Sequence, residues 1–370
     1  MVENDEGFLY PRVDQAKCTV CGSCERVCPA LHDLHPLNRS VDPATWAAWS
    51  ADPEECKNSS SGGVFSVLAK YNLVRGGVVF GAGFVKDWVL QHISIERTED
   101  LHRLQGSKYL QSQIGDAYRK AKAFLKEKRP VLFSGTPCQI AGLYGYLGPK
   151  KYPKLITCEI ICHGVPSPKL FTKYKNEVQQ SLGGNIEKIN FRNKHLGWRD
   201  FSLSFESSSQ QKKSESHRTD DFMRLFLSNI CLRKSCSSCE YARSPRVADI
   251  TLGDYWNIAE VHPELPNDDS GVSVVICNSS RGDYLLKQIN SSLFVIPSTF
   301  SKAVAGNKNL VSASIEHNRR GEFFSLIDKQ SVSNLRRQFC KKTSIILRVL
   351  LKIYRISRQK FSLISSEGMK

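Results

Sequence analysis

The stretch PVLFSGTPCQIAGLYGYL, residues 130–147, decides the fold. Its first four residues make a short apolar run with branched and aromatic side chains, the pattern of a buried strand. Gly135 and Thr136 break that run. Pro137 then stands where a helix begins, because a first-turn residue needs no N–H partner and proline's fixed φ suits the position. Residues 137–147 read as that helix. A strand feeding a helix through so short a turn is the repeating unit of layered α/β folds.

The alternation extends in both directions. Residues 63–72 and 117–127 read as helices, with 77–84 as a β-rich run between them. Downstream, 155–161 reads as a strand and 168–181 as a helix. Residues 186–192 and 201–206 look like paired strands, and 207–216 reads as a polar, low-complexity loop with little core potential. Residues 220–232 read as helical, and 249–253, 272–277 and 293–296 as strands. Residues 41–57, with Trp46, Trp49, acids and prolines, read as a connector. The expected fold class is therefore α/β with mixed α+β elements.

Nearer the start, Cys18, Cys21, Cys24 and Cys28 followed by Pro29 spell C-x2-C-x2-C-x3-C-P, the run that wraps a 4Fe-4S cluster in bacterial ferredoxins. A zinc knuckle would favour two separated C-x2-C pairs, and a disulfide cluster would need an oxidising compartment. In two-cluster ferredoxins the fourth cysteine of each run serves the other cluster, and here there is one run. Either Cys28 joins its neighbours, or Cys56 supplies the missing thiolate, or the true chain starts further upstream.

A length of 370 residues leads us to expect two or three domains. Thirteen cysteines and no recognisable signal peptide suggest a reducing cytoplasm. No run reaches the ~18 apolar residues that a membrane span needs. The net charge of +16 is concentrated in the tail, where residues 329–370 hold eleven Lys and Arg against the single Glu367, which is +10 of the total. The body is thus only mildly basic, and nucleic acid is not expected as a partner. On a helical wheel Lys341, Arg348, Lys352 and Arg355 share one stripe beside a broad apolar face. Such a helix suits an anionic membrane surface, a partner's groove or the protein's own core. A cytoplasmic protein is expected, with peripheral contact at the inner membrane face left open.

The remaining thiols divide by context. Cys236 and Cys239 form a C-x2-C pair, a spacing shared by zinc sites, clusters and redox thiols. Cys138 falls at an expected helix N-terminus, which favours thiolate over thiol, and Cys162 ends an expected strand. Cys158, Cys231, Cys277 and Cys340 sit in apolar or helical runs and read as small buried hydrophobes.

These segments, taken with SSSGG (59–63), GSKYLQS (106–112), GTPCQ (135–139), CHGVPS (162–167) and ADITLGDYW (248–256), resemble in order the beta subunits of coenzyme F420 hydrogenases and dehydrogenases and their bacterial relatives. The resemblance covers about residues 10–300. It implies a flavin-binding α/β core with an iron–sulfur cluster, often fused to an N-terminal ferredoxin module, of which this chain has half. It implies a division into a ferredoxin-type module (1–40), an N-terminal α/β region (41–153), a C-terminal region with cluster cysteines (154–325) and a basic tail (326–370). It also groups Cys138, Cys162, Cys236 and Cys239 as ligands of the core cluster, with Cys231 and Cys158 in reserve. One or two 4Fe-4S clusters, FAD and, as an open alternative, coenzyme F420 are the cofactors it implies.

A flavin dinucleotide's pyrophosphate needs backbone N–H groups at a helix start, with glycine allowing close approach. Ser61-Gly62-Gly63, Gly106-Ser107-Lys108 and Gly135-Thr136 fit that need, although plain N-capping by Ser and Thr fits these positions too. No G-x-G-x-x-G fingerprint supports nicotinamide binding. His163 is a candidate proton donor beside the flavin, or else a polar loop residue. The function expected is an iron–sulfur flavoprotein oxidoreductase that passes electrons between a hydride carrier and its clusters, working with a redox partner protein. A non-catalytic electron-transfer subunit and a zinc-binding protein are the alternatives.

Overall fold

The computed structural model describes residues 1–36, 38–265 and 269–340. The amphipathic segment expected beyond Cys340 lies outside the described residues. By packing, the chain forms two units. One is Met1–Pro168 with Leu232–Glu316, and the other is Lys169–Cys231 with the described residues 317–340.

The first unit opens with a two-stranded ribbon, β1 (Val2–Glu3) and β2 (Leu9–Tyr10), and a single helical turn, α1 (Ser23–Arg26). Its main sheet draws on β3 (Ala44–Ser50), β4 (Val78–Phe84), β5 (Leu90–Ile95), β6 (Val131–Gly135) and β7 (Leu155–Ile160). After three strands of the second unit, β8 (Ile186–Asn193), β9 (Ser202–Ser207) and β10 (Lys212–Ser216), the main sheet gains β11 (Ile250–Asp254), β12 (Ser273–Cys277) and β13 (Leu293–Ser298). The eight strands lie in the order β13-β3-β12-β11-β7-β6-β4-β5. Strands β4, β6, β7 and β11 are mutually parallel, and β12 is antiparallel to both β11 and β3. The carboxyl ends of β3, β4, β6, β7 and β11 therefore all emerge along one edge.

Three helices of this unit, α3 (Val64–Leu73), α4 (Ala117–Lys126) and α5 (Pro137–Leu147), follow from the sequence, whereas α2 (Pro53–Asn58) lies in the stretch expected to be a connector. The 130–147 reading holds. Val131, Leu132 and Phe133 are fully buried, as a central parallel strand covered on both faces should be. Thr136 caps α5, Pro137 opens it, and Gln139 closes a capping box by accepting the Thr136 N–H. Helix α3 and the helix Ser280–Ile289 bring Leu68, Leu285 and Leu286 into a cluster with Leu132 and Val275. On the other side α4 and α5 bring Ala121, Ile140 and Leu143 together with Phe80 and Phe133. Each such apolar side chain contributes about 1.5–3 kcal/mol on burial.

Polar bonds lock β11 beside β7. Glu159 and Arg246, both fully buried, form an ion pair at 2.5 Å, and Glu159 also accepts from Thr251 Oγ1 and Ala248 N. Asp249 accepts from Thr157 N, Thr157 Oγ1 and Ser279 Oγ.

Three local expectations need correction. Residues 44–50 are not part of a connector but strand β3, paired with β12 on one side and β13 on the other. Residues 212–216 are not loop but edge strand β10, paired with β9. The helix expected over 220–232 ends early, as α7 (Asp221–Leu227), which follows α6 (Pro168–Leu182).

In the second unit, α6 and α7 share a core with the sheet β10-β9-β8 through aromatic rings. Phe171 meets Phe222 edge to face, Tyr174 stacks on Phe222 and meets Phe205 edge to face, and Phe191 packs tilted against Phe171. Asp220 caps α7 through Met223 N and accepts the Tyr174 hydroxyl. Burial pushes its carboxyl up to about 7, against the opposing pull of the Tyr174 and Met223 hydrogen bonds and of Lys213.

Candidate metal and cofactor site

In α/β sheets, ligands bind where strand carboxyl ends open onto loops. Cys138 follows β6 as the second residue of α5, and Cys162 follows β7. Cys236 ends a 3-10 turn, Lys234–Cys236, and Cys239 lies three residues on. Gly164, between Cys162 and this turn, has φ of +128° and leaves no room for a Cβ, which would meet Leu232 Cδ1 at 2.9 Å. An isolated bridge between Pro166 and Leu232 and a hydrogen bond from Arg233 N to Val165 O fasten the two loops together.

The result is one group of four thiols. Cys162 feels the charge of Cys138, Cys236 and Cys239, and Cys236 that of Cys138 and Cys239. Cys138 in turn feels Cys239. Surrounding protein pushes the Cys138 and Cys162 thiols up, and Cys236 up to about 11. Opposing groups favour the thiolates. Thr136 and the N–H groups of Cys138 and Gln139 act on Cys138, Gly164 N–H on Cys162, and Val165 N–H and the Arg233 cation on Cys236. Thr136 Oγ1 lies 3.2 Å from Cys138 Sγ. Among the described residues no three His, Cys, Asp or Glu side chains converge tightly enough to grip a single metal ion.

The other cysteines stand apart from this group. Cys158 is buried within β7 and pushed up by that burial, and Cys231 is buried in the second unit. Cys18, Cys21 and Cys24 are exposed and Cys28 is half-buried. The Cys21 thiol is drawn down to about 7, chiefly by its hydrogen bond with Ser23. Cys56 is buried, and its thiol donates to Ser50 O and Gly62 O inside the first unit's core.

The glycine segments converge on one another. Ser107 N donates to Ser60 Oγ at 2.6 Å, joining 59–63 to 106–112, and just outside those segments Gln105 Nε2 donates to Ser66 Oγ at 2.9 Å. Gln139 Nε2 donates to Ser112 O and Ser112 Oγ, joining 106–112 to 135–139. Much of their hydrogen-bonding capacity is used internally. Gly62 N donates to Ser273 Oγ, and a Cβ at Gly62 would meet Ala48 O at 2.6 Å. Ser61 Oγ donates to Val272 O. Gly63, at φ +82°, caps α3. Lys108 Nζ donates to the carbonyls of Leu104, Gln105 and Gly106, and loss of water around it lowers its ammonium to about 7. Gly106, at φ +79°, faces open space. His163 lies beside Cys162, its carbonyl accepting from Ser314 Oγ.

One site residue escaped the sequence reading. His92 on β5 is buried and stacks on Phe133. A carbonyl can only accept, so Nε2 carries the proton to Ser134 O while Nδ1 accepts from Ser112 Oγ. Burial drops its pKa to about 4, which keeps the ring neutral. The only hint in the sequence was a polar residue inside the apolar run LQHISI.

The fold and site define a class: an α/β chain that gathers four thiols on loops beside the carboxyl ends of β6 and β7 in a mixed sheet. Family models for the coenzyme F420 hydrogenase/dehydrogenase beta subunit match residues 45–118 (N-terminal model) and 128–298 (C-terminal model). The chain belongs to that family. Over 167 residues it is 31% identical to a coenzyme F420-dependent sulfite reductase of Methanocaldococcus jannaschii, covering 37% of this chain and 26% of that protein. It thus spans about a quarter of the length of that curated relative. A chain of the F420-reducing [NiFe] hydrogenase complex of Methanosarcina barkeri aligns over 75% of this chain and 91% of its own, at 16% identity and a TM-score of 0.49. That score is too low to bear on function. The family is one of redox proteins. No helix among the described residues is long and apolar enough to cross a membrane.

Proposed function

We propose that the chain is an iron–sulfur flavoprotein oxidoreductase. Cys138, Cys162, Cys236 and Cys239 would hold a 4Fe-4S cluster, and a flavin would lie beside them. The gathering of four thiols from three separate loops carries this reading. Four thiolates are the ligand number that a 4Fe-4S cubane needs, and metal charge would offset the upward push on the thiols.

A flavin supplies the ability to take a hydride and release single electrons. The protein supplies the rest. Gly164 N–H, Val165 N–H and the Thr136 hydroxyl, hydrogen-bonded to ligand sulfur, would tune the reduction potential. The convergence of 59–63, 106–112 and 135–139 supports a flavin site at the same edge. The open side of Gly106 and the N-terminus of α5 are its best anchors for phosphate, with Gly62 and Lys108 holding the loops in shape. His163 is the candidate proton donor. The sulfite reductase's dependence on coenzyme F420 supports a deazaflavin as hydride carrier. The description of the matched family as a beta subunit favours a second reading, in which this chain passes electrons and a partner supplies turnover.

Anaerobic purification of the full-length protein tests both. Iron, acid-labile sulfide and released flavin, with oxidation of reduced F420 by the protein alone, support the first. Iron and sulfide without flavin, and no turnover until a partner is added, support the second. A colourless protein containing zinc contradicts both.

A further inference from the structure

The amino-terminal cysteine loop is fastened to the core beside the thiol group, and one side chain makes most of the joint. Tyr241 lies two residues past Cys239. Its hydroxyl donates to Pro29 O at 2.9 Å and to His32 O at 3.1 Å, directly after Cys28. The turn that presents those carbonyls is closed by Leu31 N and His32 N donating to Cys28 O. Leu34 N–H acts on the same phenol, which also feels the charge of Cys138 and Cys239. His35 stacks on the Tyr241 ring at 5.1 Å, and Arg243 pairs with Asp33 at 2.5 Å. On the neighbouring helix, Gly145 leaves room for the loop. A Cβ there would meet Val27 O at 2.7 Å and Leu34 Cδ1 at 2.8 Å. Leu34, Tyr241 and Cys239 all belong to one apolar cluster.

We propose that Tyr241 is the positioning residue that clamps the Cys18–Cys28 loop against the Cys138, Cys162, Cys236 and Cys239 group, so that the two thiol sets form one intramolecular electron relay. This rests on reading both sets as cluster ligands. From Cys28 the path runs through the Pro29 carbonyl, one hydrogen bond, the Tyr241 side chain and two peptide units to Cys239. Each transfer moves one electron. The centre at one set is oxidised by one as the centre at the other is reduced by one, with no bond or proton exchanged. A one-electron carrier protein is the external donor or acceptor.

The test uses full-length protein rebuilt anaerobically with iron and sulfide, its metal content counted before spectroscopy. The expected result is two centres per chain whose electron-spin signals, in the fully reduced protein, are broadened by mutual interaction. Tyr241→Ala and Gly145→Ala should each keep the core iron and lose the broadening, the first by removing the clamp and the second by wedging the loop away. Two centres whose signals simply add would overturn the relay and leave the ligand reading standing. Iron for a single centre would remove that reading and the relay with it. Broadening unchanged in both variants would overturn the clamp.

Discussion

The two cysteine sets make opposite use of the chain. Cys18, Cys21, Cys24 and Cys28 lie within eleven residues, on exposed loop around a single helical turn, and their local hydrogen bonds are to immediate neighbours such as Ser23. Cys138, Cys162, Cys236 and Cys239 span about a hundred residues and are held at strand ends, at a helix start and in a turn fastened by β-bridging. The first set advertises itself by spacing, and the fold holds it only from its carboxyl end, through Tyr241 and its neighbours. The second has almost no spacing signal and exists only because the sheet brings its loops together. A thiol set built by the fold should stay gathered in the folded protein and scatter when it unfolds.

That contrast can be broken most visibly by removing ligands. Cys162→Ser or Cys236→Ser should abolish most of the core iron. Cys18→Ser should leave it in place. Equal iron loss from Cys18→Ser and Cys236→Ser would erase the distinction.

The next effect concerns the scaffold. Glu159→Gln leaves Arg246 buried without its carboxylate, a change that costs about 3–5 kcal/mol. Asp33→Asn, at an exposed pair with Arg243, should cost at most about 1 kcal/mol. Denaturant midpoints of the two variants check this, and comparable shifts would mean that β7 and β11 are not locked as described.

A smaller effect should appear in the metal-free protein. At neutral pH Cys21, exposed and drawn down to about 7, should alkylate well before Cys162, whose thiol is pushed up. Mass-mapped labelling with iodoacetamide would show the order, and faster reaction at Cys162 would contradict it.

The smallest effect lies outside both sets. Asp220 in the second unit is held up to about 7 by burial, above the ordinary aspartate value of about 3.9. The folded state therefore binds its proton more tightly than the unfolded one. Its contribution should be full at low pH and decline as pH rises from about 4 through about 7. Asp220→Asn keeps a capping side chain and should flatten that slope in hydrogen exchange of α7. An unchanged slope would place the titration elsewhere.

Much of the sheet was legible because central parallel strands are nearly continuous apolar runs, as residues 131–133 are and residues 155–158 are save for Thr157. Strand β3 was not, because ATWAAWS is rich in alanine and flanked by proline and aspartate. It is a strand only because β12 and β13 lie on either side, a case of context overriding propensity. Strand β10 was hidden for the opposite reason. KKSES carries no apolar residue, as suits a solvent-facing edge. The glycine motifs were legible as positions of special backbone. Nothing in the letters said that Gly62 is required by Ala48 O at close range, or that the Lys108 cation turns back onto its own loop. The pairing of Cys138 with Cys239 was legible only through family resemblance, since no periodicity links residues a hundred apart.

The core assignment is tested most directly by replacing Cys18, Cys21, Cys24 and Cys28 together with serine and counting iron and sulfide in the full-length protein. About four irons and four sulfides per chain should remain, as one 4Fe-4S centre requires. A colourless, iron-free protein that is still folded would contradict it.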